Sequence, residues 1–423
     1  MTEFPTDVST QDTGYGGPSA ESGPASLKIV HITNYQVPAY GYDEIQLSRE
    51  QTEMGHDVTI ITSNFLHPKG MYSVLQQRLP QRRVKPRNED VDGVRIRRLP
   101  GREVARRVWI TGLERALIEL DPDVIHSHNL LQFHSARVAM LRATGRCRAA
   151  VVIDDHMHMG FVRRSILGKV FYRTYRAVGQ PLIARYVDRF CAIAQDTSEY
   201  LRKECAVKGE IDIVPLGVTR AALNPNPDAR RQMRERLGMT TSDLVAIYAG
   251  KVIPAKGIDL LIEATARLRG EGMRIAVIVV GDADDAYARL LSTLATELGQ
   301  PDFHLMPGVD HDYMPELYAA ADIGVWPRQE SMAVFEAMAA GIPVVVSSSS
   351  GLAPVVAPDR GLTFSAGDVG SLATCLSRLT NADLRKDLGE AGQHYAQQEL
   401  TWRRSAERYV TIYREAIARQ PRR

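Results

Sequence analysis

The stretch DIGVWPRQESMAVFEAMAAGIPVVVS, residues 322–347, decides the fold. Its spacing predicts a buried strand over Ile323–Trp326, a polar loop over 327–331, a helix, and a second buried strand. Ser331 is suited to cap that helix, Gly341 to close it, and Pro343 to stop it from continuing. Apolar strands joined through a helix form a parallel βαβ unit. In open sheets of this kind ligands bind where loops leave the strand C-termini. Arg328, Gln329, Glu330 and Ser331 therefore belong in a crevice beside backbone N–H groups at a helix start, where an anion or a ring of hydroxyls would be held.

The bulk of the chain fits that unit. Its 423 residues are too many for one core and suit two domains. Apolar residues make up 44% and charged residues 24%, as in ordinary globular proteins, and a net charge of +2 implies no electrostatic partner. Cys147, Cys191, Cys205 and Cys375 are widely spread, which predicts reduced thiols in a cytoplasmic protein instead of disulfides or a zinc site. The longest apolar blocks are strand-sized, such as IAVIVV at 275–280, too short to span a membrane. Residues 1–26, rich in Ser, Thr, Gly and Pro without an apolar run, read as a disordered leader.

From Leu27 onward strand-like blocks at 27–33, 57–62, 93–99, 123–128, 149–155, 189–194 and 211–216 alternate with helical spacing. The Pro/Asn-containing, then basic stretch 217–240 reads as a linker followed by a short helix. A second series follows, with strands at 244–249, 274–280, 302–306, 322–326, 343–347 and 361–365. Such alternation calls for mostly parallel sheets covered on both faces. The expected division is 27–216 for the first domain and 217–398 for the second, with 399–423 an amphipathic helix packing back on the first. In that last helix Trp402, Tyr409, Ile412, Tyr413 and Ala416 share a face.

Two sets of residues could carry chemistry. In YAGKVIPAKGIDLLIEA (248–264) a strand ends at Gly250, and Lys251 and Lys256 sit on the loop that follows. They either converge on one anion, such as a diphosphate, or are solvated. Glu336, among apolar neighbours, either points into the crevice, where its two oxygens could accept from a ribose diol, or lies on a solvated face.

The motifs together resemble a known family. GKVIPAKG followed by EAMAAGIPVV is similar to the donor half of the retaining GT-B glycosyltransferases of family 4, the glycosyl transferases of group 1. LKIVHITNYQVPAYGYDEIQLSREQTEMGHDVTIITSN, DPDVIHSH, CAIAQDTSEYL, IDIVPLGV, VVGDADD, MPELYAAADIGVWP and GLTFSAGDVGSLA follow in the family's order, so the likeness covers nearly the whole chain. It implies an α/β fold of GT-B type, with two tandem Rossmann-like doubly wound domains facing a central cleft. The implied activity moves a sugar from a nucleoside-diphosphate sugar to an acceptor hydroxyl with retention, in glycan, glycolipid or glycosylated-metabolite synthesis. A sugar-nucleotide epimerase or hydrolase of the same fold, or an inactive sugar-nucleotide-binding scaffold, is the alternative.

The resemblance also implies roles. Lys256 should bind the donor diphosphate, with Lys251 standing where most members carry Arg. Glu336 matches the second glutamate of an E-x7-E pattern and should hold the ribose. The first glutamate is displaced: the position eight residues before Glu336 is Arg328, and the nearest glutamate, Glu330, is six away. In this shortened loop Glu330, Ser331 and Met332 are expected to meet the donor sugar, Glu330 catalytically. Gly41 should approach the donor phosphate, with Tyr42 in place of a second glycine. Of the pair in DDHMHMG, His156 is favoured over His158 as the catalytic histidine facing sugar and acceptor.

The family uses no metal for catalysis, so no cofactor is expected and the nucleotide sugar is a substrate. Asp282-Ala-Asp284 and Asp154-Asp155 are accordingly set aside as structural. The segment 161–190 carries Arg163, Arg164, Lys169, Arg173, Arg176, Arg185 and Arg189 among Ile166, Leu167, Val170, Phe171 and Tyr175, and Arg97, Arg98, Arg102, Arg106, Arg107 and Trp109 enlarge that basic surface. It reads either as a core-packed helix with a solvated basic face or as a peripheral contact with an anionic membrane, at its cytoplasmic face. Nucleic acid is not an expected partner, because no aromatic-studded binding motif is present.

Overall fold

The computed structural model describes residues 25–37, 43–68, 81–104, 107–157, 162, 165–218, 228–240, 243–309, 313–329, 331–356 and 358–419. The leader expected over 1–26 lies almost wholly outside them, as do Gly41, Tyr42, Arg106, His158, Arg163, Arg164 and Glu330.

The first domain is built on an eight-stranded sheet. Its strands are β1 (Lys28–Ile32), β2 (Asp57–Ser63), β3 (Arg87–Val91), β4 (Val94–Leu99), β7 (Val124–His128), β8 (Ala150–Asp155), β9 (Arg189–Ala192) and β10 (Ile211–Ile213). Between β4 and β7 a separate hairpin is formed by β5 (Gly101–Val104) and β6 (Arg107–Ile110). The sheet order is β10-β9-β8-β7-β1-β2-β4-β3, parallel throughout except where β3 pairs with β4. The order reverses direction between β1 and β7.

The second domain has six parallel strands: β11 (Leu244–Ala249), β12 (Ile275–Val280), β13 (Phe303–Met306), β14 (Ile323–Trp326), β15 (Val344–Ser347) and β16 (Gly361–Phe364). Their order, β13-β12-β11-β14-β15-β16, is the 3-2-1-4-5-6 arrangement of a Rossmann sheet, with its switch point between β11 and β14. Both faces are covered, which is why the central strands β11, β12 and β14 are apolar: all six residues of β12 are buried. The strands missing from the sequence reading are β3, β5 and β6; β3 and β5 are polar, and β6, RVWI, is only four residues long. RNEDV and GREV carry charges at alternate or adjacent positions and form edges or hairpins, where one face meets water.

The chain passes between domains twice, and the two passes lie side by side. Val218 N–H donates to Leu400 O at 2.7 Å, and Val218 bridges Thr401 in parallel. A Cβ on Gly217 would stand 2.2 Å from the Trp402 backbone nitrogen, so only glycine lets the strands of the crossing approach this closely. Thr401 then caps the helix Trp402–Ala418, accepting from Arg404 N–H. This helix packs on the first domain, burying Trp402, Tyr409, Ile412, Tyr413 and Ala416 with Ile29, Leu47, Val58, Val124 and Val152. Arg189 ties the helix to the sheet by pairing with both Asp212 and Glu415.

At the N-terminal end of β14, Asp322 organises the second domain. One carboxylate oxygen meets Arg230 at 2.6 Å; the other takes Arg234 at 2.7 Å and Val245 N–H at 2.8 Å. Arg234 is 1% exposed and spends its remaining donors on the carbonyls of Ala320, Thr240 and Asp243. Among the described residues no helix is long and apolar enough to cross a membrane.

Asp322→Ala removes the carboxylate that pairs with that buried guanidinium, and a buried charge left without its partner costs about 3–5 kcal/mol. Urea unfolding should therefore show a loss of that size, and a loss below about 1 kcal/mol would mean the pair is not what holds the helix Ala229–Arg236 to the sheet.

Candidate active site

The switch point of the second sheet brings two loops together. After β11 the chain runs through Gly250 and Lys251 into a single 3-10 turn, Pro254–Lys256, and then the helix Ile258–Gly270. After β14 it runs through Pro327–Gln329 to the helix Ala333–Ala339. Trp326, fully buried, donates its ring N–H to Ala249 O at 3.0 Å and so locks the ends of the two strands together. Gly250 has φ 138°, and a Cβ there would stand 3.1 Å from Ser331 Oγ. Lys256 Nζ lies 3.5 Å from Gln329 O. The lysine loop therefore abuts the segment that precedes Glu336.

Its partner on the other side is equally tight. Gly281 has φ 154°, and a Cβ there would fall 1.7 Å from Gly250 O. Val252 N–H donates to Asp282 O and Asp284 N–H to Val252 O, so the lysine loop is stitched to the turn after β12. Asp284 is the N-cap of the helix Asp285–Glu297, accepting from Ala286 and Tyr287 N–H, in keeping with its reading as structural.

The expected site residues are placed as follows. Glu336 sits in the helix Ala333–Ala339, half-buried, and accepts from the hydroxyl of buried Tyr318 at 2.8 Å. Burial, and then the Glu336 charge, push the Tyr318 phenol well above its ordinary pKa, so it remains a donor that orients the carboxylate. Ser331 does not cap this helix. The first helical residue is Ala333, Met332 occupies the cap position, and Ser331 Oγ reaches only Ala333 N–H at 3.4 Å. The backbone carbonyl of Ser331, and not its side chain, accepts from Val334 N–H, at 3.1 Å. Gly341, at φ 77°, follows the last turn as expected.

Arg328, at the position of the missing glutamate, is directed away from that role. Its guanidinium donates to Pro254 O at 3.1 Å and lies 3.5 Å from Asp259, and its stem covers Gly257, where a Cβ would collide at 2.5 Å. It clamps the lysine turn instead of facing a sugar. Gly257, at φ 69°, is required by the left-handed turn as well as by this contact.

The first domain holds a second constellation, and most of it was not anticipated. His31 on β1 is in register with His126 on β7, and His128 on β7 with Asp154 on β8. Asp154 Oδ2 accepts from His128 Nδ1 at 2.8 Å and lies 3.3 Å from His156 Nε2. His156 Nδ1 faces Asp43 at 3.3 Å, so both of its ring nitrogens meet carboxylates. His128 Nε2 and His31 Nδ1 are 2.9 Å apart, His31 Nε2 faces Gln51 Oε1 at 2.7 Å, and Gln51 donates to Tyr413 OH. Tyr413 OH stands 2.7 Å from His126 Nδ1.

Proton positions follow from this geometry. Gln51 gives its N–H to Tyr413, so its oxygen takes the proton of His31 Nε2. His31 Nδ1 is then a lone pair to which His128 Nε2 donates, and His128 also donates to Asp154, so it carries both protons. The electrostatics agree. Burial opposes the charge on His128, but Asp154 raises its pKa; on His156 the same opposition is overcome by Asp154 and Asp43, which push it well up. Burial would raise Asp154, yet His128, His156 and His126 hold it well below the carboxylate range. Burial followed by neighbouring imidazolium charge keeps His31 low, His126 at about 4 and His134 at about 3.

Two trios here, His31/His126/His128 and His128/Asp154/His156, are compact enough to be considered for a metal. The geometry favours mutual hydrogen bonding, since His31 and His128 approach to 2.9 Å while two ligands of a tetrahedral zinc stand about 3.3 Å apart. The signal for this network was present in the sequence as HSH and DDH, alternate residues near the ends of two strands, which place polar groups on one face. Setting Asp154 aside as structural missed its position at the centre of that network.

Comparison with known proteins bears on both domains. Residues 229–395 match the family model described as glycosyl transferases group 1, and residues 45–222 that of glycosyltransferase family 4. A D-inositol 3-phosphate glycosyltransferase of Catenulispora acidiphila is 31% identical over 347 residues, covering 77% of this chain and 78% of the relative. One from Xylanimonas cellulosilytica is 29% identical, with 77% and 79% covered. Among solved structures, a glycosyltransferase from Rickettsia africae superposes with a TM-score of 0.70 at 15% identity, covering 94% of this chain and 100% of that one. HepE of Anabaena in complex with UDP does so at 0.69 and 18%, covering 92% and 100%. At such identities these structures speak for the fold.

Acidification tests the proton assignment. Groups held low in the folded state, His31, His126 and His134, contribute stability that is full above the unfolded value near 6.5 and is lost as pH falls toward their folded values. His126, at about 4, then accounts for a loss of about 2 kcal/mol at pH 5. His128 and His156, raised, keep their contribution below 6.5 and lose it only as pH rises through their folded values. Urea midpoints should drop between pH 7 and pH 5. A rising midpoint would show that the groups held high, Asp155 at about 6 among them, outweigh the three low imidazoles.

Proposed function

The chain belongs to the glycosyl transferases of group 1, and from that premise we propose that it moves a hexose-like sugar from a nucleoside diphosphate to an acceptor hydroxyl with retention at the anomeric carbon. The observation that carries this reading is the junction of the two loops at the β11–β14 switch point, where Lys256 stands 3.5 Å from Gln329 O in the segment leading to Glu336. Lys251 and Lys256 supply positive charge to the diphosphate as it departs, a stabilisation that grows in the transition state. Glu336, oriented by Tyr318, takes the ribose hydroxyls, so the donor is gripped at both ends and its sugar directed to the acceptor. Glu330, Ser331 and Met332 form the sugar contact of the shortened loop, and Gly41 approaches the phosphates from the first domain.

His156 acts in this scheme as a fixed positive charge. Both of its nitrogens face carboxylates, so it holds two protons and is not the base. The proton of the acceptor hydroxyl passes to the leaving phosphate, whose negative charge builds as the glycosidic bond breaks. No metal is needed for these steps, and the lysines do the work of a cation. UDP, found with the Anabaena neighbour, is the first nucleotide to examine, and a phosphorylated cyclitol, from the names of the relatives, the first acceptor.

Lys256→Ala and Glu336→Ala should each lower kcat/KM by about ten- to 150-fold, given about 1.5–3 kcal/mol for a charge-assisted bond, with the fold retained in circular dichroism. Near-normal turnover in either variant contradicts the assignment. Turnover should also survive EDTA, and its abolition would overturn the metal-free scheme. In a thermal-shift panel of UDP, GDP and ADP, the cognate nucleotide at a hundred times its Kd should stabilise by about 2.7 kcal/mol.

A further inference from the structure

The first domain exposes an apolar face that its fold does not use. The chain from Ile166 to Ala184 is one continuous helical run, α-helical over Ile166–Thr174 and Gln180–Ala184 with a π-turn over Tyr175–Gly179 between. Ser165 caps it by accepting from Gly168 N–H. Its inner side is buried through Tyr172, Gln180 and Ile183. Its outer side carries Ile166 at 81% exposure, Leu167 at 82%, Val170, Phe171, Val178 and Leu182 at 65%. Two of the exposed large hydrophobic side chains among the described residues, Leu290 and Leu298, belong to the second domain, against these six within one run.

The outer residues form a stripe. At roughly 100° per residue, positions 166, 167, 170 and 171 fall within an arc of about 140°, away from Tyr172. Lys169 and Arg173 flank it, and Arg176 and Arg185 are exposed further along. The sequence holds no acidic residue from 157 to 187, and the next, Asp188, pairs with Arg142. A neighbouring element continues the surface: Arg107 lies over the Phe171 ring at 5.1 Å, and its hairpin exposes Val104, Trp109 and Arg102. A helix that only packs on a core needs one apolar side. This one has two, and the second is rimmed by cations alone.

We propose that this face docks on an anionic phospholipid surface, with Ile166, Leu167, Val170, Phe171 and Leu182 entering the acyl boundary and Lys169, Arg173 and Arg176 meeting the headgroups. Charge decides for lipid over a protein partner, because protein interfaces deplete lysine and balance the charges they keep, whereas this rim is of one sign. The run begins shortly after His156 in the chain, so docking holds the acceptor side of the enzyme at the membrane and favours an acceptor presented there.

The test is sedimentation of the full chain with vesicles of phosphatidylcholine alone and of phosphatidylcholine mixed with phosphatidylglycerol, without donor or acceptor, so its outcome is independent of the transferase reading. The chain should pellet with the anionic vesicles, weakly with the neutral ones, and less as salt is raised. Leu167→Ser with Leu182→Ser, and separately Lys169→Glu with Arg173→Glu, should each lower the partition coefficient at least tenfold while leaving the circular-dichroism melt unchanged, because all four side chains are exposed. Absence of binding to anionic vesicles, or equal binding by parent and both variants, overturns the proposal. So does a parent dimer that the serine variant converts to monomer, which would assign the face to a second copy.

Discussion

Parallel pairing is the constraint on which this molecule depends. Strands that run the same way must be joined by crossovers, and the crossovers here are helices lying on both faces of each sheet. All loops that follow strands therefore emerge along one edge. Where the strand order reverses, between β11 and β14 in one sheet and between β1 and β7 in the other, two such loops leave in opposite directions and open a crevice. Both constellations of reactive side chains occupy those two places. The lysine loop and the segment before Glu336 meet at the first; His31 and His126 sit across the second.

The two places solve opposite electrostatic problems. In the second domain, positive side chains are kept on short loops whose backbones are pinned by glycines at Gly250, Gly257 and Gly281. In the first domain, charge is buried outright. Asp154 is 2% exposed, and such a carboxylate persists as an anion only because His128 and His156 surround it. The resulting chain of bonds extends through His31 and Gln51 to Tyr413, on the helix that returns from the second domain. The orientation of His156 is thereby tied to a segment more than two hundred residues later in the chain.

That returning helix also limits how the domains can be joined. Its first turn is fastened to the outgoing strand at Gly217 and Val218, so both crossings form a single narrow connection. Arg189, held between Asp212 and Glu415, secures the far end. The basic, doubly apolar helical run after His156 is free of these ties on its outer side. The core-packed and the surface-binding readings of that segment are therefore compatible, since the structure buries one side and leaves the other uncovered.

By itself the amino-acid sequence determined the class of fold and the order of its buried strands. Apolar runs of strand length alternating with helical spacing admit few packings, and every strand buried on both sides was legible. Strands β3, β5 and β6 were not: β3 and β5 are polar with a wet face, and β6 is too short to give a recognisable apolar run. The two loops that carry Lys251, Lys256 and Glu336 were legible through their spacing within known motifs, and the sheet order brings those loops together. The diversion of Arg328 to Pro254 and Asp259, and the start of the helix at Ala333, were decided only by tertiary packing. The same holds for Asp154: its role comes from register between neighbouring strands, which brings together His31, His126, His128 and His156 from distant parts of the chain. Local spacing records which face a side chain takes, but not which strand will lie beside it.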